Sequence, residues 1–168
     1  MTEGALLAQW IAEGDEIVAR VTAGAGAGVM KPEVLGDMTG LQVMEAMLRG
    51  EMPVAPMAQT LAFGAISVAP GKAVFQGTPQ AEFLNPMGTV HGGWMGTLLD
   101  SALGSAVLTT LPAQYGYVTT GLNIQYLKPV TPKIQRVRVD ASVTALEIEK
   151  GHAKAAAILF GADGMQYA

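Results

Sequence analysis

At 168 residues the chain is long enough for one domain with a sizeable core, and its 14% of charged residues is well under the ~25% of an ordinary soluble protein. With 50% hydrophobic residues and a mean hydropathy of +0.33, polar groups do not easily cover the whole surface, so burial against further copies of the chain is expected. A net charge of −4 argues against nucleic acid as the main partner, the lack of cysteine excludes disulfides and thiolate chemistry, and two histidines give no basis for a metal site.

The N-terminus, MTEGALLAQW, puts an acid ahead of a short apolar run and has no basic region, unlike a secretory leader. No run approaches the ~20 apolar residues that span a bilayer, so a cytoplasmic protein without membrane contact is expected. Residues 3–21 place Leu6, Leu7, Trp10, Ile11, Ile17, Val18 and Val21 roughly on one side, which predicts a helix. TAGAGAGV at 22–29 interrupts that pattern. Its Gly24, Gly26 and Gly28 follow no strand and lack the spacing of a dinucleotide loop, so a flexible linker is expected. A short helix is predicted at 40–49, with Leu41, Met44, Met47 and Leu48 as its apolar stripe and Pro53 and Pro56 closing it.

From Thr60 the period shortens, and TLAFGAISVAPGKAVFQGTP reads as two strands joined at Pro70-Gly71. A helix over 93–109 follows, apolar nearly all the way round, as buried helices are. After Pro112 come three strand-like runs: YGYVTTGLNIQYLKP, IQRVRVDASVTALEI and HAKAAAILFGA. Asp163-Gly164 marks a tight hairpin, and MQYA begins a returning strand. Because a strand usually needs 5–6 residues, the natural protein is expected to extend beyond Ala168 and pair there with the 152–162 run. This order predicts an α+β fold, a curved antiparallel sheet wrapped around one long central helix.

Chemistry concentrates in NPMGTVHGGWMGTLLDSALGSAV, residues 85–107. Asp100 is the only acid between Glu82 and Asp140, and a carboxylate on a buried helix costs several kcal/mol unless paired or solvated. At 100° per residue, Gly93, Gly96, Thr97, Asp100 and Gly104 share one face, so another backbone or a ligand can approach the carboxylate. Asp100 is therefore either a group satisfying backbone amides across a helix pair or a general base or nucleophile. His91-Gly92-Gly93 at the helix start leaves amides open at its positive end, which suits an oxyanion hole as well as a plain glycine turn. Gly92 and Asp100 are eight residues apart, about 12 Å of helix rise. Both must come within ~3 Å of one reacting carbonyl group, so one copy of the helix cannot supply both. Two antiparallel copies related by a two-fold axis can.

The pattern Asn85, Gly88, His91-Gly92-Gly93 and Asp100, with TTGLNIQYLKPV downstream, resembles the hot-dog-fold acyl-CoA thioesterases of the phenylacetate-pathway (PaaI-like) type. The resemblance covers about residues 36–168, leaving 1–35 as an N-terminal helical extension with a Gly-rich linker. It implies the hot-dog fold and an acyl-CoA substrate, with no cofactor beyond the CoA of the substrate itself. It further implies that Asp100 activates water or attacks the thioester, that the Gly92 amide binds the oxyanion with His91 beside it, and that Asn85 holds the thioester region or the water. Thr119, or else Thr120, would orient the water. The site would be shared across a homodimer, which would pair again into a dimer of dimers.

Gly93, Thr120, Lys128, Arg136 and Arg138 are the expected substrate-binding residues, the last three for the CoA phosphates together with Lys133 and Lys150, although a solvated strand face explains such cations equally well. Trp94, Met95, Tyr115 and Tyr117 could shape an acyl pocket or simply pack the core. A hydratase acting on acyl thioesters and a non-catalytic acyl-CoA-binding or assembly protein are the alternatives.

Overall fold

The computed structural model describes residues 2–168; Met1, the first residue of the expected extension, lies outside them. The first helix, α1 (Glu3–Ala23), is capped by Thr2, whose hydroxyl accepts from the Ala5 N–H, and it runs two residues past the predicted end. The expected flexible linker is instead tied down. The Ala25 N–H donates to the Gly50 carbonyl, and Gly26 and Gly28 exchange backbone bonds with Val54. Its glycines allow close approach: a Cβ at Gly24 would collide with the Gly50 carbonyl. After α2 (Pro32–Leu35) comes α3 (Gly40–Leu48), held at its start by a capping box between Thr39 and Gln42. Pro56, expected only to close α3, opens the short α4 (Pro56–Thr60), where its missing N–H costs nothing.

The strands β1 (Phe63–Ala69) and β2 (Lys72–Gly77) form the predicted hairpin, with Gly71 at φ +71° in its turn. The long helix α5 (Gly92–Leu108) follows, then β3 (Val137–Glu147) and β4 (His152–Gly161). The four strands pair antiparallel in the order β1-β2-β3-β4. Inward residues of the sheet, among them Phe75, Val137, Val139 and Leu159, pack on Trp94, Leu98 and Ala102 of α5 as one buried cluster.

The outer face is used too. Gln76, Arg138 and Phe160 are cross-strand neighbours in one row, and α1 lies over that row. Trp10 meets Phe160 edge-on at 5.6 Å between ring centres, and the Arg138 guanidinium sits 4.5 Å above the Trp10 ring. The Gln76 side-chain amide donates to the Trp10 carbonyl at 3.0 Å, while Arg138 pairs with Glu13. Gly14 allows this approach, since a Cβ there would strike the Gln76 amide. Burial of an aromatic such as Trp10 stabilises by a few kcal/mol, enough to dock the extension firmly.

One predicted strand is absent. The run over 115–129 forms no strand; apart from a turn bond from the Tyr115 N–H to the Pro112 carbonyl, its backbone bonds among the described residues lie near its end, where the Leu127 and Lys128 N–H groups meet the Tyr167 carbonyl. Extended residues become a strand only where a second row of backbone groups faces them, and here the run faces a helix. The predicted turn at Asp163-Gly164 is present, with Gly164 at φ +75°. Residues 165–168 then run back along β4, exchanging backbone bonds with Leu159 and Gly161.

Candidate active site

The small-residue face of α5 is where the 117–126 segment goes. Tyr117 packs its hydroxyl against Gly104, Thr119 reaches Asp100, Ile124 lies over Gly96 and Tyr126 over Gly92. The segment thus runs antiparallel along the helix, one contact per turn, and the glycines make room for it. A Cβ at Gly104 would collide with Tyr117, and one at Gly92 would lie 3.2 Å from the Tyr126 ring. Side chains of this segment, and not the backbone or ligand expected to approach the stripe, therefore occupy much of it.

Asp100 remains half-exposed between these contacts. The Thr119 hydroxyl donates to Asp100 Oδ1 at 2.9 Å, fixing the carboxylate while leaving Oδ2 free of hydrogen bonds among the described residues. Thr120, the alternative hydroxyl, is exposed and makes no such bond. Tyr117 is affected in turn. Burial of its hydroxyl end, and then the charge of Asp100, raise its phenol above the ordinary tyrosine range.

At the other end of α5, His91 is the N-cap and its Nδ1 accepts from the Gly93 N–H at 2.9 Å. With Nδ1 accepting, the neutral ring carries its proton on Nε2. The Gly93 amide is thereby satisfied, whereas the Gly92 N–H finds no acceptor among the described residues. The Tyr126 hydroxyl donates to the Gly92 carbonyl at 2.8 Å and holds that peptide in place. An open N–H at a helix N-terminus can stabilise a developing oxyanion. A recess of about 280 Å3 lined by His91, Gly93, Trp94, Thr97 and Phe83 adjoins this end.

Asn85 serves its own turn. Its Oδ1 accepts from the Met87 and Thr89 N–H groups, its Nδ2 donates to the Thr89 hydroxyl at 2.8 Å, and Gly88 at φ +83° completes the bend. One Nδ2 proton is left over. Asn85 sets the approach to His91, whose N–H donates to the Phe83 carbonyl.

The thioesterase superfamily model matches residues 87–148, a stretch containing His91, Gly92, Asp100 and Thr119. Acyl-coenzyme A thioesterase 13 of Homo sapiens and of Pongo abelii is 33% identical over 86 residues, 51% of this chain. The alignment spans only 57% of the length of those curated relatives. A phenylacetic acid degradation-related protein of Ralstonia eutropha JMP134 superposes with a TM-score of 0.67 at 28% identity, over 74% of this chain and 92% of that one. The E. coli PaaI protein shares the fold, with a TM-score of 0.63 at 22% identity, over 76% and 86% of the two chains. The chain has the hot-dog fold, and its central stretch is similar to the thioesterase superfamily.

Most cations expected at its rim have other uses. Arg138 lies on the outer face of the sheet, opposite the inward Val137 and Val139, and is held by Glu13, Gln76 and Trp10. Arg136 donates to the Gln135 carbonyl at 2.9 Å and lies 3.5 Å from Asp15 of α1, while Lys150 pairs with Glu147 at 2.7 Å. Lys128 has no carboxylate partner among the described residues; its ammonium lies 3.7 Å from the Met165 sulfur. Of the aromatic candidates, Trp94 and Met95 are core, Tyr115 is exposed, and Tyr117 closes on the helix. Sequence reading missed Tyr126, which steadies the Gly92 peptide. Its only signal was a tyrosine within a run read as a strand.

Proposed function

We propose that this chain hydrolyses an acyl-CoA thioester to the free acid and CoA. The observation that carries the reading is the pairing, on one helix, of a carboxylate steadied by a threonine hydroxyl with an open N–H at the N-terminus. Asp100 takes the proton of a water whose oxygen adds to the thioester carbonyl carbon; alternatively the carboxylate adds first, and water cleaves the resulting anhydride. The Gly92 N–H receives the oxyanion, and the His91 Nε2–H lies beside it. As the oxyanion collapses, the carbon–sulfur bond breaks, and the sulfur leaves with its electron pair and takes up a proton.

Since Gly92 and Asp100 of one helix stand about 12 Å apart, the amide and carboxylate acting on one substrate come from two copies. The reading therefore includes a homodimer with two shared sites, assembling further as a dimer of dimers. Lys128 is the cation retained for the CoA phosphates.

A second reading, acyl-CoA binding without turnover, draws support from Asn85, whose amide is largely engaged by its own turn. Incubation with a panel of acyl-CoAs and a thiol-detecting reagent separates the two. Thiol release that scales with enzyme supports hydrolysis, and binding without release replaces it by the second reading.

A further inference from the structure

A partly open cavity of about 640 Å3 lies away from the His91 recess, lined by α1, α3, α4, the edge strand β1 and the flank of α5. Its walls are mainly apolar: Ile17 and Val21 of α1, Met44 and Met47 of α3, Phe63 of β1 and Leu108 of α5. A volume of this size lies within the ~300–1,000 Å3 of small-molecule sites. Since an apolar cavity of ~150 Å3 already holds a six-carbon benzene, there is room for an extended chain well beyond that length.

Polarity within the cavity is uneven. Gln76 and Arg136, at its far rim, are bound to Trp10, Arg138 and Asp15. At the α5 end Ser101, Ser105 and Tyr117 face the space. Ser105, only 8% exposed, is the most buried of the three residues that line this end. Tyr117 stands between this cavity and Asp100: it lines the space, seats its hydroxyl on Gly104, and feels the Asp100 charge.

We propose that this cavity is the acyl compartment, receiving a long unbranched acyl chain whose carbonyl end stays at Tyr117 and Asp100. The proposal deepens the hydrolase reading and rests on it. Its walls include α1, which lies outside the 87–148 stretch matched by the superfamily, so the extension sets the substrate range. Ser105 would meet polar atoms near the head of the chain, and the methionines would adapt to its bends.

The test is the chain-length profile of kcat/KM for straight-chain acyl-CoAs from acetyl to hexadecanoyl, on the full chain and on the cavity-filling variants Ala58→Phe and Met47→Phe. In the unmodified protein kcat/KM should rise at least ~100-fold from acetyl to octanoyl, since each buried methylene adds severalfold. Each variant should lower the octanoyl-to-acetyl ratio at least ~10-fold; two positions are used so that one poorly folding variant does not end the experiment. A flat profile, or variants that leave the ratio unchanged, overturns the compartment while hydrolysis stands. Titration with the fluorescent fatty acid cis-parinaric acid reads the cavity without turnover. Binding weakened by Ala58→Phe in a protein that hydrolyses no acyl-CoA would retain the cavity as a fatty-chain site and reject the hydrolase reading. Binding indifferent to Ala58→Phe rejects the cavity.

Discussion

A carboxylate held on one oxygen by a hydroxyl keeps its second oxygen for chemistry, and this makes Asp100 the most informative single residue to change. Asp100→Asn preserves shape and retains an acceptor for Thr119, so unfolding should be little altered while kcat falls at least ~10²-fold. Steady-state thiol release measured on protein with an unchanged melting curve checks this, and near-normal turnover would remove Asp100 from the mechanism. Tyr167 gives a separate test at the same scale. Its phenol donates to Asp163 at 2.6 Å, and burial, followed by that bond, raises it to about 12. The folded state thus favours the neutral phenol, with an ordinary value of ~10 when unfolded. That contribution is whole below pH ~10 and is lost as pH rises through about 12. Urea unfolding across that window should show stability falling with pH, and Tyr167→Phe should flatten the decline.

Among the elements, α1 is most open to test because it joins the fold by side-chain packing and not by sheet pairing. Trp10→Ala removes the ring between Phe160 and Arg138 and should cost about 3 kcal/mol. Glu13 is held below the usual carboxylate range by its hydrogen bond to Arg138. Its share of stability is therefore present above ordinary carboxylate values and lost as pH falls through its lowered value. Arg138→Ala discriminates between the two uses weighed for that residue. A clamp for α1 predicts a lower melting temperature with KM for acyl-CoA unchanged, whereas a phosphate contact predicts a higher KM in a protein of normal stability.

For the whole molecule the question is whether one site needs two copies. Gly92→Pro removes the open N–H at the first helical position, where proline is well tolerated, and His91 at φ −62° and ψ 133° already suits a following proline. Tyr126 must yield slightly to the ring, so a melting curve accompanies the assay. Asp100→Asn and Gly92→Pro proteins should each be nearly inactive. Mixed and allowed to exchange subunits, they should recover activity toward one quarter of normal, from the hybrid site that carries both intact groups. No recovery despite exchange demonstrated by mass spectrometry would place the amide and the carboxylate in the same copy.

Local pattern was enough to place α1, α3, α5 and four strands, because a 3.6-residue or two-residue apolar period is written directly in neighbouring side chains. The glycine stripe beside Asp100 and the capping His91 were legible for the same reason: helix geometry converts spacing into a shared face. The run over 115–129 could not be read in this way. Its composition suits a strand, but whether a strand forms depends on what lies alongside, and tertiary packing laid it on α5. Packing likewise turned the Gly-rich linker into a tied turn with Gly50 and Val54, and gave Arg138 to Glu13 and Trp10. Tyr126, Ser105 and the cavity behind Tyr117 have no local signature at all. They exist because segments far apart in the chain meet, and no one segment's periodicity records such a meeting.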